Sequence, residues 1–96
     1  MIEYLYNAIR ATAGSEIVVG AEITNDEGHY ITEGCHFMLF DKDKELIATI
    51  DGTYLEEGNW EFTIPAETTE GLNGRYWYCM CYHDDNLCFK QPIYLV

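Results

Sequence analysis

Apolar residues recur at every second position through most of this 96-residue chain, and that period limits the fold more than any other feature. Ile17, Val19, Ala21 and Ile23 alternate with Val18, Gly20, Glu22 and Thr24. Trp60, Phe62 and Ile64 alternate with Glu61 and Thr63, and Leu46, Ala48 and Ile50 with Ile47 and Thr49. Tyr76, Tyr78, Met80 and Tyr82 alternate with Trp77, Cys79 and Cys81. Successive side chains of a strand point to opposite faces, so a period of two reads as strand. Turn chemistry separates the runs: Ala13-Gly14-Ser15, Asn25 to Gly28, Asp41 to Lys44, Asp51-Gly52, Glu57-Gly58-Asn59, Asn73-Gly74 and Asp84-Asp85-Asn86. The spacing predicts strands near 2–11, 15–24, 34–41, 45–51, 59–65, 74–83 and 87–95, with one helical turn within 65–71. About seven short strands with turns every ~8–12 residues predict an all-β antiparallel sandwich or small barrel. The whole of 1–96 reads as one domain. The expected core is Ile17, Val19, Ile23, Phe37, Leu39, Trp60, Phe62, Ile64, Tyr76, Tyr78 and Met80.

Charge sets the class of partner. Seventeen acids against five Lys and Arg give a formal net charge of -12. A phosphate backbone or an anionic bilayer would be repelled, so neither nucleic acid nor membrane is an expected partner. No apolar run approaches the ~18 residues of a membrane span. Met1-Ile2-Glu3-Tyr4 lacks the basic start of a signal peptide, so synthesis in a cytoplasm is expected. The acids are scattered, which favours solubility and self-repulsion over a bunched nucleic-acid mimic.

Catalytic signatures are missing. The one serine, Ser15, lies in a turn without a nucleophile elbow, and no glycine-rich phosphate loop or dinucleotide fingerprint occurs. His29, His36 and His83 have no neighbouring acid–base motif, so structural or solvated roles are expected. Asp41-Lys42-Asp43-Lys44-Glu45 lacks the glycine and distal glutamate of a calcium loop and reads as a solvated hairpin turn. The expectation is a protein that is not an enzyme and holds no cofactor or metal.

The four cysteines are Cys35, Cys79, Cys81 and Cys88. A two-residue turn at Asp84-Asp85 would set Cys81 opposite Cys88, with Cys79 and His83 on the same face. Cys79, Cys81, His83 and Cys88 are thus the weak candidates for a metal site. Their C-x-C-x-H spacing is too wide for easy tetrahedral closure. A Cys81–Cys88 disulfide is a second reading, disfavoured by a reducing cytosol. Reduced cysteines packed as small hydrophobes are the preferred reading.

Two strands are apolar on both faces. Cys35, Phe37 and Leu39 point one way while His36, Met38 and Phe40 point the other; the tyrosine row opposes Trp77, Cys79 and Cys81. An antiparallel sheet normally leaves one face polar. The outer side is therefore covered, either by the chain's own termini or by a partner subunit. The segments Arg75 to Tyr82 and Leu87 to Val96 contain no acid, so the hairpin they form is the expected contact surface. Its interface candidates are Trp77, Cys79, Cys81, Cys88, Lys90 and Tyr94. Trp77→Asp is expected to weaken docking while the sandwich stays folded.

Leu72-Asn73-Gly74-Arg75-Tyr76-Trp77-Tyr78 resembles the segment that opens the penultimate strand of immunoglobulin-like (Ig-like) sandwiches. Further matches are Glu16 to Thr24, Asn25 to Gly28, Ile31 to Gly34, Leu39 to Lys42 and Trp60 to Pro65. Together they resemble the small Ig-like modules of tailed-phage and prophage virion proteins, notably the N-terminal module of upper baseplate proteins. The resemblance implies an Ig-like sandwich in which Tyr76 makes the tyrosine corner. Tyr78 stands where a disulfide cysteine would be, so no inter-sheet bridge is implied. It further implies a virion structural accessory: a head decoration, a head fibre or a tail or baseplate adaptor. Such a protein docks on other virion proteins or forms a homo-oligomer. The alternative is a small acidic phage inhibitor that binds a basic groove of a host protein.

Overall fold

The computed structural model describes residues 2–5, 8–82 and 89–96. Nine strands and one short helix follow in order: β1 (Ile2–Leu5), β2 (Ala8–Ala11), β3 (Ile17–Glu22), β4 (His36–Phe40), β5 (Leu46–Asp51), β6 (Thr53–Tyr54), β7 (Asn59–Ile64), α1 (Ala66–Thr69), β8 (Gly74–Cys81) and β9 (Gln91–Leu95). They form an all-β sandwich of a six-stranded sheet, β1-β2-β9-β8-β4-β5, and a three-stranded sheet, β3-β7-β6. In immunoglobulin lettering the small sheet takes the places of B, E and D. Strands β4, β8 and β9 take those of C, F and G, with β5 added beside C as in variable-type sandwiches. The Tyr76 hydroxyl accepts the Asn73 N–H at 3.2 Å, the short backward contact expected of a tyrosine corner.

Alternation delivers the core. Phe37 and Leu39 of β4, Tyr76 and Tyr78 of β8, and Ile9, Ala11, Ile93 and Leu95 of β2 and β9 bury one face of the large sheet. They meet Ile17, Val19, Trp60, Phe62 and Ile64 of the small sheet. The expected core residues all lie in this cluster or, for Ile23 and Met80, pack partly buried against it. Phe37 stacks on Tyr78 at 5.3 Å and tilts against Phe62 at 6.1 Å, so one ring ties the two sheets together. The Trp60 indole donates to Ile31 O at 2.7 Å, which satisfies its one polar atom. Gly20 N–H donates to the Tyr4 hydroxyl at 3.0 Å and links β1 to β3 of the other sheet.

Three details differ from the sequence reading. The single strand expected over 2–11 is two strands paired antiparallel, Ile2↔Ala11 to Leu5↔Ala8. Tyr6-Asn7 offers neither Gly nor Pro, so alternation gave no break there. Strand β2 then pairs with β9 in parallel, Ile9↔Ile93 to Ala11↔Leu95, so the large sheet is mixed and not purely antiparallel. Strand β6 is the third departure. Gly52 carries the chain from β5 in the large sheet into β6 in the small one, its N–H donating to Cys35 O at 2.9 Å. The helical turn expected within 65–71 is α1, whose buried Thr69 accepts the Gly14 N–H through its hydroxyl at 3.0 Å.

Candidate functional site: the outer face of the large sheet

Register places the outward side chains in rows. Across β1, β2, β9 and β8 run Glu3, Arg10, Tyr94 and Arg75. Across β9, β8, β4 and β5 run Pro92, Trp77, Phe40 and Leu46. Next come Cys79, Met38 and Thr49, then Cys81, His36 and Asp51. The β8–β9 register, Gly74↔Leu95 to Tyr78↔Gln91, is the one a two-residue turn at Asp84-Asp85 would give. That turn, His83 and Cys88 lie outside the described residues.

Beneath this face sits a second apolar cluster of Met38, Phe40, Cys79 and Cys81, with Trp77 partly buried against it. Within the single chain Met38 and Phe40 are 7% exposed, so the chain shields this cluster itself. Cys79 and Cys81, expected as interface residues, are 3% exposed and lie under the surface. Trp77 is half-buried on the same cluster, so Trp77→Asp would disturb packing as well as docking.

Cations cover the aromatic rings. Lys44 Nζ lies 4.5 Å from the centroid of Trp77, and the Arg75 guanidinium carbon lies 5.0 Å from it. Lys90 Nζ lies 4.6 Å from the Phe40 centroid. Such contacts are worth ~0.5–1 kcal/mol each where exposed. Lys44 reaches the ring because of three local devices. Asp41 Oδ1 accepts the N–H groups of Asp43 (2.8 Å) and Glu45 (2.9 Å), which fixes the turn. Lys44 then adopts a left-handed φ of 67°, and a bulge shifts register between Leu39 and Phe40. The Asp41–Glu45 segment is thus the hairpin turn the sequence indicated, its first carboxylate engaged by backbone amides.

The electrostatics are asymmetric. Four of the five Lys and Arg, namely Arg10, Lys44, Arg75 and Lys90, occupy or overhang this face. Its strand rows carry two acids, Glu3 and Asp51, both on edge strands. Among the described residues the one side-chain ion pair joins His29 and Glu27, at 3.6 Å. Lys44, Arg75 and Lys90 therefore lie over rings, and none of the four cations pairs with a carboxylate among the described residues. Tyr94 is 36% exposed within the rows, and Phe89, next in the chain to Lys90, is 87% exposed.

The opposite surface is the reverse. Val18, Gly20 and Glu22 of β3 and Asn59, Glu61 and Thr63 of β7 face outward, and β3, β6 and β7 hold no Lys or Arg. An open groove of about 410 Å³ lies there, lined among others by Glu22, Leu55, Glu56, Trp60 and Glu61.

Cysteine chemistry departs from the preferred reading at one position. Cys81 is disulfide-bonded, whereas Cys35 and Cys79 are thiols. The Cys79 and Cys81 sulfurs are 3.5 Å apart. A disulfide sulfur is not a zinc thiolate, so Cys81 does not fit the metal set. Among the described residues no three His, Cys, Asp or Glu side chains converge as a metal site. Burial pushes the Cys35 thiol up to about 11, which keeps it protonated as a packed hydrophobe at neutral pH.

Of the residues the structure places on this face, Trp77, Lys90 and Tyr94 were expected there from the sequence, and Arg75, Lys44 and Arg10 were not. Arg75 was legible, since it shares parity with Trp77. Lys44 was not, because its place depends on the bulge and the left-handed turn. Arg10 joins the face only through a parallel pairing between the two ends of the chain. No protein-family model, curated protein or solved structure matches this chain.

Proposed function

We propose that this chain is a non-enzymatic docking protein, a structural accessory of a phage or prophage virion, working through the outer face of its large sheet. The observation that carries the docking reading is the segregation of four cations onto one aromatic face, where none pairs with a carboxylate among the described residues. In a chain with seventeen acids, cations left in this state suit an acidic surface supplied from outside. The rim charges Arg75 and Lys44 and the exposed Tyr94 are the contact groups, supported from below by Trp77, Phe40 and the buried cysteines. The virion setting rests on the resemblance of the Leu72–Tyr78 segment and its flanking motifs to Ig-like virion modules.

The outer face of the small sheet, whose charged strand residues are all acids, favours a second reading, an inhibitor that seats this side in a basic host groove. Mass spectrometry of purified particles separates the two. The proposal expects the chain in intact particles at high copy number. Its absence there, with salt-sensitive capture of a basic host protein, would overturn the virion assignment and favour the inhibitor.

A further inference from the structure

We infer that the partner of the cationic face is a second copy of this chain, docked through the acidic groove of its small sheet. This rests on the docking reading and names its occupant. The two surfaces belong to opposite layers of one sandwich, so every copy carries both halves of the contact.

Charge selects this arrangement over the symmetric ones. Pairing two large-sheet faces would oppose Arg10, Lys44, Arg75 and Lys90 to their own copies. Pairing two grooves would oppose Glu22, Glu56 and Glu61 to theirs. Only face against groove joins opposite signs, and like charges across a contact disfavour wrong partners. Apolar groups match as well. Tyr94 is 36% exposed among the cations of the large-sheet face, and Leu55 stands 54% exposed in the groove beside Trp60. A molecule of 38 × 24 × 23 Å offers a face large enough for the ~800 Å² per partner of a standard interface. The net charge of -12 opposes approach at long range, but at physiological salt that repulsion is screened beyond ~8 Å. Local complementarity then decides.

A face-to-groove contact is head-to-tail. It leaves one unused face and one unused groove at the ends of any pair, so it propagates into a ring or a filament.

Sedimentation velocity at physiological ionic strength tests this with the full chain in four forms. Wild type should show species larger than a monomer that grow with concentration. Arg75→Glu/Lys90→Glu and Glu22→Lys/Glu61→Lys should each weaken self-association by about tenfold or more. The variant carrying all four substitutions has an acidic face and a basic groove, and it should regain association. Circular dichroism of each form checks that the strand content is unchanged. Wild type that stays monomeric at the highest concentration, double variants that associate like wild type, or a folded fourfold variant that stays monomeric would each overturn the inference. The docking reading fails separately: Arg75→Glu/Lys90→Glu would then bind purified particles as wild type does. Loss of that binding beside a monomeric wild type would refute the second copy and leave the docking face standing.

Discussion

Phe37→Ala should cost about 3–5 kcal/mol, the usual range for truncating a fully buried aromatic residue. Phe37 is 0% exposed on β4, the strand flanked by β5 and β8. Its ring stacks on Tyr78 within the large sheet and meets Phe62 of the small one, so the truncation opens space between the layers. Neither neighbour can fill it easily. Tyr78 is held by β8 pairing on both sides, and Phe62 lies between β3 and β6. Domains of this size are stable by ~5–15 kcal/mol in all, so the loss takes a large fraction of the total. Thermal unfolding followed by circular dichroism should show Tm lower by about 15–30 °C. A shift of only a few degrees would mean that Phe37 does not join the sheets as described.

Gly52→Ala is the second large effect, and it arises from contact with the core. A Cβ at this position would lie 2.6 Å from Phe62 Cε1, 2.8 Å from Trp60 Cε3 and 3.0 Å from Cys35 O. Gly52 donates its N–H to that same Cys35 carbonyl, so the backbone cannot withdraw without losing the bond. This is the corner where the chain leaves one sheet for the other, and both rings belong to the main core. Overpacking of this kind costs ~1–3 kcal/mol or more. Gly14→Ala is the informative comparison, because its φ is +77° with no atom within 4 Å of the added Cβ. That variant carries left-handed strain alone, roughly 1 kcal/mol. Chemical denaturation of the two should place Gly52→Ala clearly below Gly14→Ala. Equal midpoints would remove the contact argument.

Period-two alternation made the sandwich legible because each face of a sheet is read directly from parity. The strands holding Ile17, Phe37, Trp60 and Tyr76 were all found this way, as was the two-sided apolar character of β4 and β8. Parity also gave the outward row of Trp77, Cys79 and Cys81. Depth was not legible. Cys79 and Cys81 share a face with Trp77 yet lie beneath its surface, since burial depends on what crosses over a residue and not on its parity. Pairings between distant segments were equally hidden. Ile9 and Ile93 were absent from the expected core because the parallel β2–β9 pairing joins the two ends of the chain, and alternation names no partner. Lys44 was read as a solvated turn residue because its position over Trp77 depends on one bulge and one positive φ. The cationic face is therefore a tertiary property, assembled from β2, β8, the β4–β5 turn and the start of β9.

The proposed role requires this face to bind a larger assembly while the sandwich beneath it stays intact. Co-sedimentation of the purified chain with particles lacking it, comparing wild type with Lys44→Glu/Arg75→Glu, tests it most directly. Lys44 and Arg75 are exposed and lie outside the main core, so far-ultraviolet circular dichroism should match wild type and stability should fall only by the ~1–2 kcal/mol of the two lost Trp77 contacts. Binding should weaken by about tenfold or more in the folded variant. A folded variant that binds the particles as tightly as wild type would contradict it.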